Sequence, residues 1–96
     1  MKQYQITENN IIYDIEEFRG AKYWRLNGLY HRENGPAVEY IDGHKLWYKN
    51  GKLHRDDGPA ADWYYRSKEY WYDGKHLPHV NSNEELKRYI KLLTIS

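Results

Sequence analysis

The chain contains no cysteine. Neither disulfides nor thiolate metal sites can support its fold, and a reducing compartment is the easier assumption. It lacks an excess of either charge, with 15 Lys and Arg against 14 Asp and Glu and a net charge of +1. That balance argues against a nucleic-acid partner held by phosphate neutralisation. No apolar run approaches the ~18 residues a membrane helix requires, and Met1-Lys2-Gln3-Tyr4 opens without a signal-peptide pattern. The expected setting is the cytoplasm, with no transmembrane segment. Phe and Met occur once each, whereas Tyr occurs eleven times and Trp four times. Rings with polar handles suit a thin sheet whose faces are half wet, because the ring is buried while its hydroxyl or indole N–H keeps a partner. With 96 residues there is room for one small domain and a modest core.

What the chain does contain is a repeat. Trp47 to Ala60 reads Trp-Tyr-Lys-Asn-Gly-Lys-Leu-His-Arg-Asp-Asp-Gly-Pro-Ala, and Trp24 to Ala37, 23 residues earlier, has Trp, Asn-Gly, His-Arg and Gly-Pro-Ala in the same positions. Residues 1–11 fit the pattern poorly and are expected to form an N-terminal cap strand. Residues 12–80 divide into about three units, each a β-hairpin. The turns are expected at Arg19-Gly20, Asp42-Gly43 and near Arg66-Ser67 within units, and at Asn27-Gly28, Asn50-Gly51 and Asp73-Gly74 between strands. In the third unit Leu77-Pro78 stand where His-Arg would recur. Beyond Pro78 the period becomes helical: Ser82 and Glu85 form a capping box, and Leu86, Tyr89, Ile90 and Leu93 make an apolar stripe. A helix over about Asn83 to Thr94, within residues 81–96, should cap the array. The fold expected is mainly β, an array of antiparallel hairpins forming one elongated twisted sheet with a C-terminal helix.

If Asp42-Gly43 is a two-residue loop, Val38 faces Trp47 and Glu39 faces Leu46. Carried through the period, this puts Ile15, Trp24, Val38, Tyr40, Trp47, Ala61, Trp63 and Tyr70 on a core face bordered by Lys22, Lys45 and Lys68. The other face collects Phe18, Tyr23, Ile41, Tyr48, Tyr64 and Trp71 among Glu16, Glu39, Asp62, Glu69 and Arg25. An aromatic surface studded with acids reads as an interaction surface.

The unit Trp-x-x-Asn-Gly-x-x-His resembles the MORN repeat. More closely, Asn-Gly-x-x-His-Arg-x-x-Gly-Pro-Ala at Asn27 to Ala37 and Asn50 to Ala60 is similar to the MORN variant of short bacterial, phage and viral proteins. The resemblance spans roughly residues 12–77. It implies a hairpin array that scaffolds or binds other proteins, and for small phage members an inhibitor of a bacterial host defence protein acting in the host cytoplasm. It carries no site residues over.

The expectation is a non-enzymatic protein-interaction module with no cofactor, binding a protein partner through Glu39, Ile41, Tyr48, Asp62, Tyr64, Glu69 and Trp71. The alternative is a small anionic ligand, a nucleotide signal or phospholipid headgroup, held by Arg32, Arg55, Lys45 and Lys68. A hydrolase centre at His54 and Asp56 is the third reading, weakened because His-Arg recurs once per unit at the same joint, whereas catalysis needs one asymmetric site. Five His without Cys show no metal-binding spacing. The glycines sit at predicted turns, not in a phosphate loop. Lys87, Arg88 and Lys91 could touch anionic lipid but read more simply as a solvated face. The open edges of such a sheet could also pair with a second copy, giving a homodimer.

Overall fold

The computed structural model describes residues 1–64 and 68–95. It is mainly β with one C-terminal helix, in a flat body of 42 × 31 × 18 Å. The strands are β1 (Lys2–Glu8), β2 (Ile11–Phe18), β3 (Ala21–Leu26), β4 (Leu29–Tyr30), β5 (Val38–Glu39), β6 (Lys45–Leu46), β7 (Tyr48–Lys49), β8 (Lys52–Leu53), β9 (Ala61–Asp62), β10 (Trp71–Tyr72) and β11 (Lys75–His76), followed by α1 (Asn83–Ile95). The expected single sheet is divided. A main antiparallel sheet runs β1-β2-β3-β5-β6-β9 with β4 attached to β3, and β7–β8 and β10–β11 form separate two-stranded ribbons.

The division happens at one residue of each unit. Trp24 N–H donates to the Ala37 carbonyl at 2.7 Å, while its own carbonyl receives the His31 N–H at 3.1 Å. Trp47 repeats this with Ala60 at 2.7 Å and His54 at 3.0 Å, and the Tyr70 carbonyl takes Leu77 N–H at 2.9 Å. Each strand therefore pairs with the main sheet up to its Trp and with its own returning hairpin afterwards. The returning hairpins close through left-handed pairs at Asn27-Gly28, Asn50-Gly51 and Asp73-Gly74, with φ between 50° and 81°. Those are the type I′ turns that Asn-Gly and Asp-Gly favour. Asn9-Asn10 and Arg19-Gly20 close the first two hairpins in the same way.

The Asp42-Gly43 turn is not a two-residue loop. Tyr40 N–H reaches the His44 carbonyl at 2.9 Å and Gly43 N–H the Tyr40 carbonyl at 3.0 Å, with Gly43 alone at φ 97°. A three-residue loop of this kind shifts the register by one. Val38 consequently lies opposite Leu46 and Glu39 opposite Lys45, not Val38 opposite Trp47. A one-residue slip moves a strand's side chains to the other face. Val38 and Ala61 therefore leave the face of Ile15 and Trp24 and join Leu46 and Trp63. The turn expected at Arg66-Ser67 lies outside the described residues.

The slip gives the sheet two cores. On one side Tyr13, Ile15, Trp24 and Ala37 are buried together, and on the other Val38, Leu46 and Ala61 pack with Tyr23, Tyr48 and Trp63. Successive strand registers also align charges. Lys2 lies opposite Glu17, Lys22 opposite both Glu17 and Glu39, and Lys45 opposite both Glu39 and Asp62. Opposite charges directly across an antiparallel pair contribute about 0.2–1 kcal/mol each. Asp62 ends the row in an ion pair with Lys68 at 2.9 Å.

The helix closes the last unit. Ser82 Oγ accepts the Glu85 N–H at 3.2 Å, which is the N-terminal half of the capping box. Leu86, fully buried, packs with Tyr70, Leu77 and Val80, and Tyr89 and Ile90 support it. Leu93, expected in the stripe, is instead exposed on the far turn.

Candidate functional site

The repeated joint has an internal logic that begins with its aromatic. Arg32 lies over the Trp24 ring at 3.7 Å and Arg55 over the Trp47 ring at 4.0 Å. From there Arg32 Nη1 donates to the Pro36 carbonyl at 3.3 Å and Arg55 Nη1 to the Pro59 carbonyl at 3.1 Å. The guanidinium passes so close to the next turn that a Cβ on Gly35 would stand 2.8 Å from Arg32 Nη1, and one on Gly58 2.7 Å from Arg55 Cζ. These two glycines are not at positive φ. The Arg side chain occupies the space a Cβ would take there, which corrects the expectation that turn geometry explains every glycine.

The histidines link successive units. His31 Nδ1 accepts the Asn50 N–H at 2.9 Å, and His54 Nδ1 accepts the Asp73 N–H at 2.8 Å. In both cases the donor belongs to the tight turn of the following unit. An accepting Nδ1 must be unprotonated, so the bond requires the neutral ring. His31 Nε2 also bonds Glu33. Burial, reinforced by the positive charge of Lys49, pushes the His54 pKa below its ordinary 6.5. At Glu33 burial works against ionisation, but the bonds to His31 and Lys49 override it and hold the carboxyl below the usual range. Lys49 Nζ lies 3.4 Å from Glu33.

Between the two joints is a cleft of about 440 Å³ whose lining includes Arg32, Glu33, Trp47, Lys49, His54, Arg55 and Asp57. It brings together two of the four residues expected to hold an anion, Arg32 and Arg55. Lys45 and Lys68 do not line it, being engaged in the charge row across the sheet. The cations of the cleft are already neutralised. Arg32 binds Glu8 through Nε at 3.1 Å and Nη2 at 2.8 Å and lies 3.7 Å from Glu39, while Arg55 Nε meets Asp57 at 2.8 Å. Arg32 thereby holds the Glu8 carboxyl below the usual range. Of these carboxylates Asp57 is the exposed one, at 76%. Lys49 could have been found from the repeat, since it precedes the second Asn-Gly as Leu26 precedes the first.

The seven residues expected to bind a partner are dispersed. Glu39 and Asp62 belong to the charge row. Tyr48 is half-buried against Tyr30, with ring centroids 5.3 Å apart. Glu69 accepts indole N–H bonds from both Trp63, at 3.3 Å, and Trp71, at 3.0 Å, and Trp71 stacks on His76. Ile41 and Tyr64 differ from the rest. With Phe18 they form a row at 23-residue spacing along the hairpin tips, exposed at 45% for Phe18, 84% for Ile41 and 71% for Tyr64. Ile41 and Tyr64 each cover a glycine one unit earlier: a Cβ on Gly20 would lie 2.9 Å from Ile41, and one on Gly43 3.0 Å from Tyr64. The period sets Phe18 beside these residues, although it is not among the seven expected to bind a partner.

Among the described residues no group of three or more His, Asp or Glu is placed to hold a metal ion. No helix among them is long and apolar enough to cross a membrane. No protein-family model, curated protein or solved structure matches the chain.

Proposed function

We propose that the chain is a non-enzymatic repeat module that binds a protein partner along the apolar row of its hairpin tips. The observation that carries this is the recurrence of Phe18, Ile41 and Tyr64 as exposed apolar residues at 23-residue spacing, with Ile41 lying against Gly20 and Tyr64 against Gly43. Single exposed apolar side chains are ordinary, whereas a contiguous row of them is typical of interaction surfaces. Acids near the row, Asp42 above all, supply a polar rim. In keeping with the MORN-variant resemblance, the partner is a bacterial protein and the chain a phage-encoded inhibitor of host defence, acting in the host cytoplasm. The test is affinity capture from a bacterial lysate with wild type and with Ile41→Ser combined with Tyr64→Ser. The double variant should lose the captured protein while its melting temperature stays within a few degrees of wild type. Capture undiminished by the substitutions would sink the proposal.

A second reading is supported by the cleft. There an anionic group could displace Asp57, the exposed partner of Arg55, and bind both arginines. Thermal-shift measurements with nucleotides and phospholipid headgroups test this. A ligand at 100 times its dissociation constant stabilises by about 2.7 kcal/mol, and Arg55→Ala should remove that gain.

A further inference from the structure

We infer that β1 is a homodimerisation strand that pairs antiparallel with β1 of a second copy about a two-fold axis at Gln5. This inference is independent of the tip row and of the cleft. β1 is the end strand of the main sheet, seven residues long and paired on one side by β2. Proteins usually guard such an edge with proline, a bulge or an inward-pointing charge. β1 has no proline, its pairing with β2 runs unbroken from Lys2↔Glu17 to Glu8↔Ile11, and its charges, Lys2 and the Arg32-bound Glu8, stand only at its two ends. It is an intact template for another strand.

The backbone phase selects the register. The two-residue turn at Asn9-Asn10 makes Glu8 and Ile11 the pair that exchanges both backbone hydrogen bonds. By alternation Lys2, Tyr4, Ile6 and Glu8 direct N–H and C=O inward to β2, and Gln3, Gln5 and Thr7 direct theirs outward. A second strand must bond to those three. Centring the axis on Gln5 pairs Gln5 with its own copy and Gln3 with Thr7, so every outward group between positions 3 and 7 is satisfied.

The same register places Lys2 opposite Glu8 and Tyr4 opposite Ile6. Both are non-hydrogen-bonded pairs, in which cross-strand side chains come closest. Lys2, which faces Glu17 on β2, gains a second opposite charge on its other side, and Glu8 is held ionised by Arg32. Tyr4 and Ile6 lie on the side of the sheet that holds Tyr13 and Ile15, since Tyr4 is opposite Ile15 and Ile6 opposite Tyr13. Ile6 already packs against that core. Pairing would therefore join the cores of the two copies. Moving the axis to Tyr4 or to Ile6 keeps the backbone phase but puts Lys2 opposite Ile6 or Glu8 opposite Tyr4, and the charge pair is lost. Strand-only interfaces fall at the small end of interface sizes, so the dimer should be reversible and concentration-dependent.

The test is the molar mass of the intact chain by analytical ultracentrifugation from low micromolar to near-millimolar concentration. Mass should approach double at the upper end. Gln5→Pro should hold the chain monomeric, because it removes an outward N–H while leaving the bonds to β2, and proline is tolerated on the solvent side of an edge strand. In a chain without cysteine, Gln5→Cys creates a single thiol that a short bis-maleimide should link into a covalent dimer, whereas Lys75→Cys on β11 should not cross-link. A chain that stays monomeric throughout, or a dimer that survives Gln5→Pro, overturns the inference. Should Gln5→Pro fail to fold, the contrast between the two cysteine variants decides.

Discussion

At the scale of single residues, the repeat is explained by one Arg that ties its joint together. Arg55 lies on Trp47, donates to the Pro59 carbonyl and occupies the space that a side chain at position 58 would need. Gly58→Ala should accordingly destabilise the chain by up to about 1 kcal/mol, the scale of the Arg55 cation–π and ion-pair contacts that the new Cβ would displace. Arg55→Ala together with Gly58→Ala should cost less than the sum of the two single changes, because the Cβ then has room. Urea unfolding of the four species gives this coupling, and strict additivity would show that Arg55 does not set the need for glycine. His54 makes a second residue-level prediction. Its pKa is lower in the folded chain than the ordinary 6.5, so the unfolded chain binds the proton first. Stability should therefore fall as pH drops below about 6.5 and level off below the folded-state value, since the unfolded state binds more protons across that interval. Urea midpoints measured from pH 8 to pH 5 should show this slope, and His54→Asn should reduce it.

At the scale of elements, strand pairing, ribbons and helix divide the work. The main sheet supplies continuity, the ribbons present the tight turns at Asn50-Gly51 and Asp73-Gly74 to the preceding unit, and the helix covers what the third unit leaves open. The third unit lacks His-Arg, and Leu77 stands buried where that pair would begin, beneath Leu86 of the helix. Leu86→Ala should cost about 2–5 kcal/mol, whereas Ser82→Ala should cost about 1 kcal/mol through loss of the cap. Thermal unfolding checks both. A Leu86→Ala variant as stable as wild type would mean that the helix does not close the array.

At the scale of the whole molecule, the two joints are chemically alike but differ in cover. The N-terminal hairpin lies over the first joint and supplies Glu8 to Arg32, so Trp24 is 3% exposed. The second joint has no such hairpin. Its Trp47 is half-buried and lines the cleft, and its Arg55 leans on an exposed carboxylate. Arg32→Ala should thus cost about 1.5–3 kcal/mol, because it removes a bidentate charge-assisted pair that is mostly shielded from water. Arg55→Ala should cost nearer ~1 kcal/mol, the scale of an exposed cation–π and ion pair. Equal costs in denaturant titrations would show that the N-terminal hairpin adds nothing to the first joint.

The sequence by itself determined the unit, most of its turns and the helix with its cap. Those depend on local chemistry: Asn-Gly and Asp-Gly tolerate positive φ, and Ser82 with Glu85 caps a helix wherever it packs. It also placed Phe18, Ile41 and Tyr64 at one 23-residue spacing, and all three are exposed in the fold. Only the tertiary structure decided which face each strand shows. One additional loop residue at Tyr40 to His44 turned Val38 and Ala61 to a second core and Glu39 and Asp62 into a charge row. Loop type is set by competition between backbone bonds and packing on both faces, and the dipeptide Asp42-Gly43 is compatible with either outcome. The meeting of Arg32 and Arg55 at one cleft was likewise invisible in the spacing, since the distance between units is fixed by strand pairing and not by the chain that connects them.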